Sequence, residues 1–153
     1  MTVSADERVL SYLAGHNVMT LATIGTGGPW AAAVFYANVD FRLIFLSSAK
    51  SRHVRNIASH SIVAATVQED YSDWNEIQGV QLEGSARELR GDEREEGVRV
   101  YREKFPGVLD SEDVAIRNAL ARVSWFELTA SRLFFVDNSR GFGHRDEILV
   151  EGS

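Results

Sequence analysis

The chain has 153 residues, of which 44% are hydrophobic and 25% are charged, and its formal net charge is −6. This length and composition are typical of one globular domain with a substantial apolar core. The acidic balance argues against nucleic acid and anionic membranes as partners, because both require a basic surface. Cysteine is absent from the sequence, which excludes disulfides, thiolate metal sites and a cysteine nucleophile.

The sequence predicts neither a targeting segment nor a membrane-spanning segment. Residues 1–7 lack the basic, apolar and small-residue order of a signal peptide. None of the apolar runs approaches the length of about 20 residues that a transmembrane helix needs. Together with the cysteine count, these features favour a cytoplasmic protein.

The first part of the chain predicts one helix followed by three strands. Ser4 and Glu7 have the spacing of a capping box, and the helix that they begin is expected to end near Gly15. Apolar and β-branched runs then predict an antiparallel meander, with strands over residues 18–24, 30–39 and 42–47. The Gly-Thr-Gly-Gly segment at 25–28 leads into a strand, so it is interpreted as a hairpin turn and not as a dinucleotide-binding fingerprint.

The remainder of the chain is predicted to be mixed. A short helix is expected over residues 51–58, a strand over 62–67, a polar loop over 68–75 and a long half-buried strand over 77–89. Two helices follow over 92–105 and 113–122, then two strands over 123–128 and 132–136, and a polar loop that reaches residue 145. These elements predict one β-rich α+β domain, a small antiparallel barrel with helices at its ends.

Motifs for acid–base or metal chemistry are missing from the sequence. It contains neither a G-x-S-x-G elbow nor an H-E-x-x-H helix. His53 and His60 could share a helical face, but they lie two turns apart and could not ligate one metal together. The sequence therefore predicts no metal site, and it leaves haem ligation by a single histidine open.

Two segments could present aromatic side chains at the surface. Phe35 and Tyr36 are adjacent in a predicted strand, so one of them should point away from the core, towards a ligand or a subunit interface. Gly141 and Gly143 flank Phe142, which favours unusual backbone angles that present this ring. The sequence does not distinguish a site in this loop from a mobile turn.

The most informative segment is S-S-A-K-S-R-H-V-R-N-I at residues 47–57, where a strand ends and a helix begins. The segment combines three basic side chains with three hydroxyls: Lys50, Arg52, His53, Ser47, Ser48 and Ser51. A helix N-terminus is already positive, so cations there are mildly unfavourable without an anion. Because hydroxyl, guanidinium and backbone N–H donors together suit a phosphate monoester, phosphate binding is favoured over a merely solvated basic face.

This segment, followed by I-V-A-A-T-V at 62–67 and G-V-Q-L-E-G at 79–84, resembles the pyridoxamine 5′-phosphate oxidase superfamily. The resemblance runs from about Val9 to Arg145 and is closest to a small bacterial branch that ends in D-N-x-x-G-F-G. It implies an FMN-binding split β-barrel, which forms a homodimer with the flavin at the subunit interface.

The resemblance also implies site residues. The cofactor phosphate is expected at the S-R-K position of the family, which is Ser51-Arg52-His53 here, next to Lys50. The flavin ring is expected beside Ala33, Val34, Phe35, Tyr36, Leu46 and Ser47, and Gln78 and Gln81 are expected at the flavin or its phosphate. Candidates for the substrate side are Trp125, Phe142, His144 and Arg145. Since His53 replaces a lysine, FMN affinity is expected to fall as the pH rises through the pKa of His53.

The substrate of the oxidase is not implied, because its Arg- and Ser-rich loop and its terminal R-L-H-D-R are replaced here. The expected function is FMN-dependent redox chemistry on an unidentified small molecule, without a nameable acid or base. A flavin-binding or sensor protein without turnover stays open, as does a deazaflavin or haem protein of the same fold.

Overall fold

In a computed structural model that describes residues 2–152, the chain forms four α-helices and one sheet of eight strands. The helices are α1 (Ala5–Gly15), α2 (Arg52–Ser59), α3 (Gly91–Lys104) and α4 (Val114–Leu120). The strands are β1 (Val18–Gly25), β2 (Gly28–Phe35), β3 (Ala37–Val39), β4 (Arg42–Ser48), β5 (Ile62–Gln68), β6 (Gln78–Glu88), β7 (Val123–Asp137) and β8 (Arg145–Leu149). Single 3-10 turns are formed by Trp74–Glu76 and Asn138–Arg140.

The sheet curls into a split barrel. Its strand order is β2-β1-β5-β6-β7-β4-β3, β8 pairs with β7, and all of these pairs are antiparallel. β2 and β3 stand at opposite ends of this order although they are consecutive in the chain, so the sheet must close where they join. The predicted β-rich α+β fold with an antiparallel barrel is therefore confirmed.

Helices α1 and α2 lie at opposite ends of β1. α1 begins with the predicted capping box, because Glu7 N donates to Ser4 Oγ at 3.2 Å and Ser4 N donates to Glu7 Oε2 at 3.1 Å. It ends just before β1 and buries Val9, Tyr12 and Leu13 in the barrel interior. α2 lies beside the end of β1 and buries Val54, Asn56 and Ile57.

The predicted strand over residues 30–39 is divided at Tyr36. Phe35 is 56% exposed and Tyr36 is completely buried, which confirms that adjacent aromatic side chains point to opposite faces. Tyr36 N donates to Asn17 O at 3.0 Å, and the Tyr36 hydroxyl donates to Leu13 O at 2.7 Å. Because Ala37 is also buried, the chain changes face here and then pairs with β4 instead of β1.

The two predicted final strands are one continuous strand, so that division was wrong. The apparent break is a β-bulge: Glu83 pairs with Arg132 and Gly84 with Ala130, which leaves Ser131 as the extra residue. One edge of β7 pairs with β6, and the other is shared between β4 and β8. The sequence also missed β8, which follows the predicted polar loop.

The sheet separates two apolar clusters. One fills the barrel interior, and the other lies between the outside of the sheet and α3. Its members are Ala37, Ile44, Leu89, Val100, Tyr101 and Trp125. Within residues 2–152, none of the helices has the length and apolar character needed to span a bilayer.

Candidate functional site

The predicted hydroxyl and imidazole groups come together where β4 ends and α2 begins. Ser47 is buried, and its Oγ lies 2.7 Å from His53 Nε2. Ser51 Oγ lies 3.4 Å from the same nitrogen and donates to Ser48 O at 2.7 Å. The Ser48–Ser51 contact forms a tight turn, and it holds both hydroxyls beside the imidazole.

The N-terminus of α2 lacks a side-chain cap. Ser51 occupies the N-cap position, but its side chain makes no capping hydrogen bond, and the first turn of the helix contains no acidic residue. Within the described part of the chain, neither the Ser51 hydroxyl nor a first-turn carboxylate accepts a hydrogen bond from the first backbone N–H groups of α2. With Lys50 exposed beside them, these groups favour an anion.

Two further side chains of α2 fix its position against β1 and the turn that follows it. Asn56 is buried and donates from Nδ2 to Thr23 Oγ1 at 3.0 Å. Gly25 leaves room for it, since a Cβ there would lie 2.0 Å from Asn56 Oδ1. Arg52 reaches the same turn, with Nη2 donating to Gly27 O at 3.0 Å. The Gly-Thr-Gly-Gly segment is a hairpin turn, as predicted, and its glycines also accommodate α2.

Sequence reasoning did not assign a role to Asn56 or to Trp30, which lies under Arg52. Asn56 could have been noticed, since a polar residue between Val54 and Ile57 lies near the apolar face of a short helix. The contact of Trp30 with Arg52 joins a strand to a helix, and no local pattern predicts it.

The candidates for the flavin ring lie on β2, on Tyr36 directly after it, and on β4. Ala33 and Phe35 are exposed on the outer face of β2, whereas the side chains of Val34 and Tyr36 are buried. The latter two could therefore contact a ligand only through their backbone. Leu46 is half-buried on β4, and β2 contacts β4 across the split.

Trp125 joins this group, since it is the register partner of Leu46 on the neighbouring strand, but Gln78 and Gln81 do not join it within one chain. β1 is about 23 Å long at ~3.3 Å per residue. The cluster of Ser47, Ser51 and His53, here called the phosphate cluster after its expected ligand, lies at the Gly25 end of β1. Gln81 pairs with Thr66, which in turn pairs with Thr20 near the start of β1, and Gln78 lies further in that direction. The glutamines are therefore displaced along the sheet from the phosphate cluster.

The four substrate-side candidates are also dispersed. Trp125 is 3% exposed and packs edge-to-face on Tyr101 with a centroid distance of 5.3 Å. Phe142 is 72% exposed, in a loop where Gly141 and Gly143 have positive φ values of 135° and 78°.

The other two members of this set, His144 and Arg145, lie at the start of β8. His144 Nε2 lies 3.3 Å from Asp146 Oδ1. The guanidinium of Arg145 lies 4.2 Å from the ring centroid of Phe134.

The model of the pyridoxamine 5′-phosphate oxidase family matches residues 5–137. The chain belongs to this family. It is 32% identical over 136 residues to UPF0306 protein Ent638_3591 of Enterobacter sp. (strain 638), covering 88% of this chain and 89% of that one. It is 29% identical over 136 residues to UPF0306 protein YhbP of Escherichia fergusonii, covering 88% and 86%.

Solved structures share the fold. A heme binding protein from Mycobacterium smegmatis has a TM-score of 0.79 and 26% sequence identity, and it covers 97% of this chain. The chain spans 59% of that longer protein. HutZ, the heme storage protein from Vibrio cholerae, has a TM-score of 0.68 at 18% identity, with coverage of 86% of this chain and 94% of its own.

In this member of the oxidase family, the imidazole at the phosphate cluster is half-buried. Burial lowers the pKa of His53 below its ordinary value of 6.5. Without an anion, the ring is therefore neutral at neutral pH and contributes a hydrogen bond to Ser47 but no charge. A phosphate dianion beside the ring would stabilise the protonated form and raise this pKa.

If FMN binds with its phosphate beside His53, its affinity should depend on pH. Binding would then take up a proton at His53 between the pKa of the free protein, which is below 6.5, and the higher pKa of the complex. Affinity should then fall as the pH rises through this window, by at most about tenfold per pH unit for one linked proton. Fluorescence titrations from pH 5 to 8 measure this slope.

His53→Gln and riboflavin, which lacks the phosphate, are the controls for this pH dependence. His53→Gln should remove the histidine contribution, leaving only the dependence that the phosphate of FMN itself produces. Riboflavin affinity should not vary over the same range. Equal slopes for FMN with the wild type and with His53→Gln would remove His53 from the phosphate site.

Proposed function

We propose that this protein binds FMN and uses it for redox chemistry on a small molecule. The observation that carries the proposal is the cluster of Ser47, Ser51 and His53 at the uncapped N-terminus of α2. Arg52 is the first residue of this helix, and its guanidinium reaches the β1–β2 turn. Hydroxyl, imidazole and guanidinium donors around a positive helix end form a donor set that fits a terminal phosphate. The membership of the chain in the oxidase family supports a phosphate-bearing cofactor.

Different residues of this chain would hold the phosphate and the ring of the cofactor. Ser51, Arg52, His53 and Lys50 would hold the phosphate, and Ser47 with the backbone of residues 33–36 would orient the ring. When bound, FMN would supply electron or hydride transfer, while the protein supplies position and electrostatics. Val34 and Tyr36 are buried, so their side chains would keep the backbone of β2 fixed beneath the ring.

We also propose that a second copy of the chain completes the site. The outer face of β1, β2 and β5 exposes an apolar surface formed by Ala22, Ala31, Ala33, Ala64, Ile24 and Ile62. Ile24 and Ile62 are 48% and 62% exposed, and exposed apolar surface of this kind favours association. The displaced positions of Gln78 and Gln81 support this proposal, because a dimer could bring them to the flavin of the other subunit.

Haem is the second candidate, because two of the similar structures are heme-binding or heme-storage proteins. His16 contacts Tyr12 O and Glu69, His53 contacts Ser47, and His144 contacts Asp146. Both ring nitrogens of His16 are engaged in these contacts, whereas His60 is exposed at the C-terminal end of α2, so ligation of a haem iron by His60 would displace none of these partners.

Identification of the bound cofactor tests the proposal. The purified protein should show a flavin spectrum, and the released cofactor should have the mass of FMN. The stripped protein should bind FMN more tightly than riboflavin, because only FMN carries the phosphate. A haem Soret band or a deazaflavin spectrum would contradict FMN as the cofactor. Equal affinities for FMN and riboflavin would contradict the phosphate site.

Turnover is tested separately from binding. With NADH or NADPH as donor, the FMN-loaded protein should reduce acceptors faster than the same concentration of free FMN. If its flavin is reduced and reoxidised no faster than free FMN with any acceptor tried, the protein binds or senses flavin without catalysis.

A further inference from the structure

The side chain of Arg52 is held by two groups outside its own helix. Its Cζ lies 4.4 Å from the ring centroid of Trp30, in cation–π geometry. Its Nη2 donates to Gly27 O at 3.0 Å. A planar guanidinium has five N–H donors, so these contacts leave donors for a ligand.

The close contact with the turn depends on the absence of a side chain at residue 27. A Cβ on Gly27 would lie 2.7 Å from Arg52 Nη2, a distance that would displace the guanidinium. The adjacent Gly28 has a φ of +93°, which allows the chain to reverse here. The β1–β2 turn therefore both receives the guanidinium and fixes its position.

Among the described residues 2–152, no carboxylate lies within ion-pair distance of Arg52. This alone does not distinguish it, because five other arginines there also lack such a partner: Arg55, Arg94, Arg117, Arg122 and Arg145. Arg52 differs from these five because its guanidinium is held by both a backbone carbonyl and an aromatic ring, so its position is fixed while its charge stays available to an anion.

We propose that Trp30 and the Gly27 carbonyl hold Arg52 ready to bind a terminal phosphate, so that Trp30 is a positioning residue of the site. This inference rests on the proposed function. Arginine has a large rotamer entropy, which an unrestrained side chain would lose when it binds phosphate. Contacts that fix the side chain beforehand remove this cost from binding.

Trp30→Leu and Gly27→Ala test this proposal, with FMN and riboflavin as probes. Trp30→Leu removes the cation–π contact but keeps an apolar side chain. The dissociation constant for FMN should rise about two- to fivefold, as the usual strength of an exposed cation–π contact implies. The dissociation constant for riboflavin should not change. Gly27→Ala should act in the same direction, and Gly107→Ala is its control, because Gly107 has open space around it.

A double-mutant cycle distinguishes positioning from a general structural role. If Trp30 acts through Arg52, Trp30→Leu should have no further effect on FMN affinity in an Arg52→Ala background. Additive effects in the cycle, equal losses for FMN and riboflavin, or unchanged FMN affinity in Trp30→Leu would each overturn the inference. Failure of the wild type to bind FMN at all would instead overturn the proposed function.

Discussion

Replacing both Arg52 and His53 by alanine is expected to weaken FMN binding by at least about two orders of magnitude. Hydrogen bonds to charged groups contribute about 1.5–3 kcal/mol each, and the loss of two such contacts at ~1.4 kcal/mol per tenfold change exceeds a factor of a hundred. Riboflavin affinity should stay the same, since the change affects only the phosphate. Isothermal titration or flavin fluorescence measures both constants.

The matched control replaces residues of the same types near the phosphate cluster. Arg55 and His60 are exposed on α2 and at its C-terminal end. The variant Arg55→Ala/His60→Ala removes the same formal charge but should change FMN affinity by less than about threefold, because exposed charges interact weakly through solvent. A comparable loss in both double variants would mean that the helix contributes general positive potential and not specific phosphate ligands.

Gly84→Ala is expected to lower the free energy of unfolding by about 3 kcal/mol, at the upper end of ordinary overpacking effects. A Cβ at Gly84 would lie 2.0 Å from Thr129 O and 2.9 Å from Ala130 Cα. Both obstacles are backbone atoms of the neighbouring strand, so they cannot move aside as the end of a side chain could. Thermal unfolding should show a fall in Tm of about 6–12 °C for a domain of this size.

Two other glycines provide a graded comparison. At Gly79, a Cβ would lie 3.1 Å from Val67 O, a tight contact that a small shift can relieve. Gly107 has nothing within 4 Å of its Cβ position. The loss of stability should therefore decrease from Gly84→Ala to Gly79→Ala to Gly107→Ala. A variant at Gly84 as stable as the variant at Gly107 would contradict the close approach of β6 and β7 at the bulge.

Local signals in the sequence predicted most of the helices and strands. The capping box at Ser4 and Glu7, the alternating burial of β6 and the helix over Gly91–Lys104 were all evident from nearby residues. The bulge at Ser131 was not, because Thr129, Ala130 and Ser131 look like a break unless the partner strand is known. Strand pairing joins residues far apart in sequence, and single-sequence patterns do not encode it.

In the candidate site, too, contacts between residues near each other in sequence were predictable, and contacts between distant residues were not. The approach of Ser47 and Ser51 to His53 was predictable, because these residues lie within seven positions and a strand end leads directly into a helix. The contacts of Arg52 were not predictable, since they depend on how the β1–β2 turn packs against α2. The spread of Gln78, Gln81 and Phe142 away from the phosphate cluster likewise required the sheet order.

The two-sided pairing of β7 has a consequence for how the chain folds. Arg42 at the start of β4 pairs with Thr129 in β7. β4 can therefore pair with β7 only after most of the chain has been synthesised. During synthesis, β4 keeps one hydrogen-bonding edge open while α2, β5 and β6 are made. Folding should be slow for a chain of this size, because distant strands must meet. Until they do, the apolar edge at Leu43–Phe45 is the segment most exposed to aggregation.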